Sequence, residues 1–298
     1  MTSRRIDLVE VTLSAAHTLE TVATNARGHA LELARSAVAD GVDVVVVASG
    51  DGTLNEAANA LIGTDVALAP IPGGSTNVFA RAIGYGNDIE RAAERLVSAL
   101  DRGAIRRVGV GVANERHFLF HLGAGFDAAV VERTERNNPR VKRYAAHPAF
   151  ALATVQTLAR GFDRNNAVLR VRLPDGEQHE SYFSVVSNVA PYTFVGPRRM
   201  LLTDDASLDR ALALTSMTRF TLTDVLGAAT STVGQARRLR HDPYVIQRAD
   251  LTDLRLTAIG AGAGERFPWQ VDGEYLGTID ELAVAYVPDA LALVLPNS

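Results

Sequence analysis

Four β-branched residues in succession, Val44 to Val47, run almost without a break into Ser49-Gly50-Asp51-Gly52-Thr53. A continuous apolar run of this kind predicts a strand buried on both faces, as in a parallel sheet. Helix-patterned Leu54 to Leu61 follows, then strand-like Val66 to Pro70 and a second glycine loop, Pro72-Gly73-Gly74-Ser75-Thr76-Asn77. Glycines at a strand's carboxyl end let backbone approach a ligand, and the free N–H groups that open the next helix can meet an anion. Two such loops at neighbouring strand ends predict a phosphate cradle in the crevice where open α/β sheets bind ligands. Taken singly, either loop also reads as ordinary turn chemistry, because Gly, Asp, Ser and Asn favour turns for local reasons. The pair is the stronger signal.

The alternation extends on both sides of this stretch. Ile6, Val9, Leu13 and Ala16 fall at helical spacing. Leu19 to Thr24 reads as a short strand, and Ala30 to Ala39 as a helix closed by Gly41. Helices are predicted over Val78 to Ile83 and Ile89 to Leu100. Strands alternating with helices predict a parallel sheet with helices on both faces, with at least four parallel strands before Leu122.

Strands then dominate. Val108 to Val112, His117 to Leu122, Ala167 to Leu173, Ser181 to Asn188, Ala211 to Leu214, Leu254 to Ile259, Trp269 to Val271 and Leu282 to Val287 read as strands. Helical stretches are expected over Ala128 to Arg136, Pro148 to Ala159 and Thr221 to Leu239. The fold class expected is α/β in two domains, the second mainly antiparallel. The boundary falls near Leu122.

A chain of 298 residues suffices for one large domain or two ordinary ones. The net charge of -4 lacks the basic excess of a nucleic-acid footprint, so no nucleic acid is expected as partner. Cysteine is absent, which excludes disulfides and thiolate chemistry. The opening residues have no apolar core after their arginines and do not read as a signal peptide. No uncharged apolar run is long enough for a transmembrane helix.

Four motifs in order carry a family resemblance: Ser49 to Glu56, Pro72 to Arg81, Gly123-Ala-Gly125-Phe126-Asp127-Ala128, and Asp272-Gly273-Glu274. Together they resemble the diacylglycerol kinase catalytic family, whose bacterial lipid kinases and sphingosine kinases share one architecture. The resemblance covers nearly the whole chain. It implies an N-terminal α/β nucleotide domain like that of NAD kinases, residues 1–122 completed by about 282–298. It also implies a β-sandwich-like lipid-substrate domain, 123–281, with the active site in the cleft between them. ATP and Mg²⁺ are the implied cofactors. A lipid at a membrane surface is the implied partner, with a cytoplasmic, peripheral location, while a homodimer stays open. The family's usual opening strand, ending in Asn-Pro, is missing ahead of the first helix. That predicts either a strand upstream of Met1 or a sheet and nucleotide site each short of one member. Ser49 stands where Gly is usual, and Val78 where Asp is frequent.

The resemblance puts Asp272 in the role of catalytic base with Glu274 beside it, sharing a face if the segment is extended. Asp272-Gly273 alone also reads as a hairpin turn. Asp51 is expected to act on Mg²⁺, directly or through water. Gly50, Gly52, Thr53, Asn55 and Glu56 belong to the first nucleotide loop, and Gly73, Gly74, Ser75, Thr76 and Asn77 to the second. Asn77 reads equally as a nucleotide contact or as a cap of its own helix, and Glu56 as a supporting partner or a first-turn helix carboxylate. Asp127 reads as a cap or as a residue that orients the site. Asp205 and Asp209 resemble a structural Mg²⁺ site, or a solvated acidic turn. The histidines lack zinc-ligand spacing, His117 and His121 being expected on one strand face. Arg133, Arg136, Arg140, Lys142 and Arg143 form a basic cluster that reads as a solvated face or an anionic-headgroup contact. Three functions follow: an ATP-dependent lipid kinase acting on diacylglycerol or a related long-chain lipid, an NAD kinase-like enzyme for a soluble substrate, or a nucleotide- or lipid-binding protein without turnover.

Overall fold

The computed structural model describes residues 3–137, 157, 166–221, 237–260 and 265–296. Two compact units result, Met1–Gly109 with Pro288–Ser298, and Val110–Val287. The mixed α/β architecture expected from the sequence is present, with a parallel set of strands in the first unit and antiparallel sheets in the second.

The first unit opens on helix α1 (Ser3–Ser14), where Val9 and Leu13, four apart, are buried. Leu19 to Thr24 forms no strand and is mostly exposed. A β-prone run needs a neighbour to pair with, and propensity alone does not supply one. Helix α2 (His29–Ala39) buries Ala30 and Ala34. Strand β1 (Val44–Ser49) follows, then α3 (Asp51–Leu61) and β2 (Ala67–Pro72). The two strands are parallel in register from Val44↔Ala67 to Ser49↔Pro72, which brings the starts of both glycine loops side by side.

Burial on both faces holds for β2, whose every residue is buried, but not for β1, where only Val47 is. The reason is position: among the described residues β1 ends the strand order and is bonded to β2 alone. Helices α4 (Val78–Ala82) and α5 (Ile89–Asp101) complete the unit's helical layer. In α5, Ile89, Ala92, Ala93, Leu96 and Ala99 form the buried stripe, and Asp88 caps the helix by accepting the Arg91 N–H at 3.0 Å.

Strand β3 (Ile105–Ala113) carries the chain into the second unit, before the boundary expected near Leu122. There β4 (Arg116–Phe118) and β5 (His121–Gly125) stand where one strand was expected, so His117 and His121 lie on different strands. Helix α6 (Phe126–Asn137) follows. Next come β6 (Leu169–Arg172), β7 (Gln178–Ser181), β8 (Phe183–Ser187), β9 (Thr193–Val195), β10 (Arg198–Met200) and β11 (Leu212–Met217). The short helix α7 (Arg237–Arg240) precedes β12 (Val245–Leu251), β13 (Asp253–Ala258), β14 (Phe267–Val271), β15 (Glu274–Ile279) and β16 (Glu281–Val294). The helix read over Pro148 to Ala159 lies outside the described residues except for Thr157, which is helical and buried. So do most of Thr221 to Leu239 and, in the basic cluster, Arg140, Lys142 and Arg143.

A six-stranded antiparallel sheet runs β12-β11-β8-β5-β14-β15, and β6, β7 and β13 pair antiparallel alongside the first part of β16. Leu122, Val186, Leu212, Leu214, Phe267 and Val271 of the first sheet share one core with Leu169, Val171, Leu254, Leu256, Leu282 and Val284 of the other. Two sheets packed over alternating inward residues make a sandwich. The last residues of β16 belong to the first unit, where Leu293 pairs parallel with Leu68 and Tyr85 donates its O–H to the Val294 carbonyl at 3.1 Å. Among the described residues the first unit's parallel set is therefore β1, β2 and the end of β16. Four parallel strands before Leu122 are not found, because the third place is filled by the C-terminal strand.

Candidate functional site

In the first unit the two glycine loops touch through bare backbone. A Cβ built on Gly74 would lie 2.6 Å from Gly50 Cα, and one on Gly73 would lie 2.9 Å from Ser49 N. The Gly73 N–H donates to the Ser49 carbonyl at 2.9 Å. Glycine is required at 73 and 74 by this approach rather than by a left-handed turn. Gly52 differs, since a Cβ there would meet nothing within 4 Å. The two exposed glycines, Gly52 and Gly74, and exposed Ser75 face solvent, with Thr53 and Thr76 half-exposed.

Helix α3 begins at Asp51, three residues earlier than its apolar pattern suggests, because extended Gly50 takes the N-cap position. Glu56 is therefore past the first turn. Its Oε1 accepts the Gly28 N–H at 2.9 Å, tying the start of α2 to α3. Asp51 reaches the other loop: Oδ2 accepts the Val78 N–H at 2.9 Å and Oδ1 the Phe79 N–H at 3.1 Å. These are the N-terminal donors of α4 that the helix itself cannot satisfy. Burial pushes the Asp51 carboxyl up from its ordinary value, against the pull of those N–H donors and of Arg81.

Asn77, buried and left-handed at φ 51, does not cap its helix with its side chain. The backbone turns that side chain back, so Oδ1 accepts the Gly74 N–H at 2.7 Å and Nδ2 donates to Asn87 Oδ1 at 2.7 Å. Asn55 is also buried, and its Oδ1 accepts from Asn59. Asn55, Glu56 and Asn77 thus build the loops. The residues that offer themselves outward are Gly52, Thr53, Gly74, Ser75 and Thr76.

Those outward groups fit a polyphosphate, with open space at Gly52, hydroxyls on either loop and the free N–H groups of the first turn of α3. The Asp51 carboxylate retains acceptor capacity for a hydrated Mg²⁺ beyond the Val78, Phe79 and Asp51 N–H groups that it takes. Asp205 and Asp209 do not fit a metal. Asp205 accepts from Arg210 at 3.0 Å and from Arg240 at 3.4 Å, so two cations already occupy it, while Asp209 is exposed. Among the described residues no group of three or more His, Asp or Glu is placed to hold a metal ion.

In the second unit, Asp272 and Gly273 have φ 49 and 77, the two left-handed positions of a type I′ turn joining β14 to β15. The backbone is not extended there, so Asp272 and Glu274 do not share a face. Glu274 pairs with Arg116 at 3.1 Å. Asp272 is buried, and its carboxylate collects three backbone N–H groups: Leu119 at 2.8 Å, Phe120 at 3.0 Å and His121 at 3.0 Å. Those donors lie in and just beyond the gap between β4 and β5, which is why the expected single strand divides. No sequence signal pointed to residues 119–121.

Four further side chains lie around this turn. His121 is buried with no partner for Nδ1 among the described residues, and burial pushes it down to about 3. Asp127, at the start of α6, accepts from Tyr192 and Gln270 instead of capping the helix. Burial pushes Asp127 up against the pull of those two donors, and burial together with the Asp127 charge pushes Tyr192 well up. Nothing in the sequence marked Tyr192 or Gln270.

The class this geometry defines is an α/β protein with paired glycine loops at the carboxyl ends of parallel strands. Residues 2–112 match the model of the diacylglycerol kinase catalytic domain. It is 36% identical over 114 residues to the diacylglycerol kinase of Bacillus subtilis (strain 168), covering 37% of this chain and 36% of that protein's length. A longer match, 23% identical over 259 residues, joins it to the diacylglycerol kinase of Staphylococcus carnosus (strain TM300), with 86% of this chain and 78% of that protein covered. A solved structure from Bacillus anthracis str. Sterne shares the fold with a TM-score of 0.74 at 20% identity, over 98% of this chain and 89% of that one. A second from the same organism, a diacylglycerol kinase, gives 0.69 at 19% identity, over 97% and 92%.

Proposed function

We propose that the protein is a lipid kinase that transfers the γ-phosphoryl group of ATP to the hydroxyl of diacylglycerol or a related long-chain lipid. The observation that carries this reading is the locked pair of glycine loops, Gly50 against Gly74 with Asp51 bridging them, inside the segment that matches the diacylglycerol kinase catalytic domain. Gly52, Thr53, Gly74, Ser75 and Thr76 would receive the phosphates, and Asp51 would hold Mg²⁺ beside them. Bound Mg²⁺ neutralises charge on the phosphates. Asp272 accepts the proton of the lipid hydroxyl as its oxygen bonds to the γ-phosphorus and the bond to ADP breaks; the proton then passes to solvent. The products are the lipid phosphate, ADP and one proton. Three N–H donors fix the Asp272 carboxylate in place, which orients it towards one hydroxyl while lowering its basicity. A relative's name says what that relative is called, so the acceptor is tested directly. Purified protein with radiolabelled ATP is offered diacylglycerol in mixed micelles or, separately, NAD. Labelled phosphatidic acid is the expected product. Label on NAD with none on lipid would replace this reading with the soluble-substrate kinase.

A further inference from the structure

We propose that Asp127, Gln270 and Tyr192 are positioning residues that set the Asp272 carboxylate through a closed ring of contacts. The inference rests on the reading of Asp272 as the base. On one side, Gln270 Nε2 donates to Asp127 Oδ2 at 2.8 Å, and Gln270 Oε1 accepts the Gly273 N–H at 2.8 Å. On the other, Tyr192 donates its O–H to Asp127 Oδ1, and its ring centre lies 4.7 Å from that of His121. His121 closes the ring: its N–H donates to Asp272 Oδ1 at 3.0 Å, and its carbonyl accepts the Asp272 N–H at 2.9 Å. The circuit runs Asp127, Gln270, Gly273, Asp272, His121, Tyr192 and back.

The chemistry of the ring demands a carboxylate at 127. Tyr192 and Gln270 both donate to that side chain, so both of its ends must accept. An asparagine would either turn its NH₂ to Tyr192, leaving the Tyr192 O–H without its acceptor, or offer it to Gln270, whose amide would then have to turn over. Its own NH₂ would then face the Gly273 N–H, donor against donor, in the turn that carries Asp272. A buried carboxylate with no cation is costly to keep, and Asp127 has none within the described hydrogen bonds and ion pairs. Space is cleared for it as well. Gln270 sits opposite Gly123 across β14 and β5, and a Cβ on Gly123 would fall 1.7 Å from Asp127 Oδ2 and 2.6 Å from Gln270 Nε2. This gives Gly123 and Asp127, which stand together in one motif, a shared purpose.

The ring is tested by exchanging its donors and acceptors. Asp127→Asn and Gln270→Glu each place like groups face to face. In the double variant the NH₂ introduced at position 127 donates to the carboxylate introduced at position 270, whose second oxygen accepts from Gly273, so the pattern is restored. Each single variant is expected to lower kcat on diacylglycerol roughly 10- to 100-fold with KM for ATP little changed, and the double variant to regain most of the loss. Hydrogen exchange read by mass spectrometry supplies a measure that needs no turnover. Amide exchange in the segments holding residues 119–121 and Gly273 should quicken in the singles and slow again in the double. If the singles fail to fold, Tyr192→Phe opens only the Tyr192 side, and should quicken exchange at 119–121 while sparing Gly273. Wild-type kcat and exchange in Asp127→Asn, or a double variant no better than its parents combined, would overturn the ring. A wild-type protein inactive on lipid would instead remove the kinase reading, and the exchange measurements would still decide the ring.

Discussion

Asp51 and Asp272 act alike at the scale of single residues: each carboxylate gathers backbone N–H groups from a segment distant in sequence. For Asp272 this makes turn and base compatible roles, because the left-handed turn is what points the carboxylate inward. It also shapes the test. Asp272→Asn sets an NH₂ against one of three N–H donors, so a stability loss of about 1–3 kcal/mol is expected by chemical denaturation. Turnover should fall roughly 10²- to 10⁴-fold with ATP affinity nearly unchanged. Wild-type turnover in that variant would leave Asp272 as a turn residue only. The glycines give a second contrast. Gly74→Ala forces a Cβ onto the Gly50 backbone and should cost about 1–3 kcal/mol in a thermal or denaturant melt. Gly52→Ala meets no protein atom and sits in a helix, where Ala is the better residue by roughly 1 kcal/mol. It should melt no lower than wild type yet bind ATP more weakly in calorimetric titration, because the open space is where the phosphates are proposed to lie.

Among the elements, α4 is the most dependent on its neighbours. A five-residue helix cannot hold itself in water, and Asp51 satisfies two of its leading N–H groups from another loop. Asp51→Ala should therefore quicken amide exchange at Val78 and Phe79, cost about 1–2 kcal/mol as a lost cap does, and weaken Mg²⁺-dependent ATP binding. Unchanged exchange at those two amides would mean that α4 is held by packing alone. Elements with their own periodicity were legible beforehand: α2, α5 and, in the second unit, β6, β8, β11, β13 and β14 fall close to where spacing placed them, while β9, β10 and β12 were not foreseen. Those that depend on a neighbour were not. β1 lost its two-sided burial to an edge position, Leu19 to Thr24 found no partner, and the strand expected from His117 to Leu122 divided where Asp272 claims its N–H groups.

For the molecule as a whole, His121 ties stability to pH. Its folded-state value, about 3, lies below the ordinary value of 6.5, so the unfolded chain takes up a proton that the native state refuses. The contribution is fully present above 6.5 and is lost as pH falls from there towards 3, at up to about 1.4 kcal/mol per pH unit. Raised Asp127 and Asp51 carboxyls act in the opposite sense, losing stability as pH rises through their folded-state values. The comparison is therefore between wild type and His121→Phe. Between pH 6.5 and pH 5.5, wild type should lose about 1 kcal/mol more than the variant in urea melts. Equal slopes would show that His121 protonates in the folded state.

What this sequence determined by itself was everything encoded in near neighbours: the strand-loop-helix order, the two glycine loops, the Asp-Gly turn and the succession of antiparallel strands. Such features follow from side-chain period and from local φ and ψ preferences, which adjacent residues settle among themselves. Only the tertiary structure decided what the polar side chains do. Asp51 bonds a residue 27 positions away, Gln270 an acceptor 143 away and Asp272 donors 151 to 153 away. A hydrogen bond acts over about 3 Å and carries no trace in the spacing of its two residues along the chain, so those partners became visible only once the sheets had brought them together.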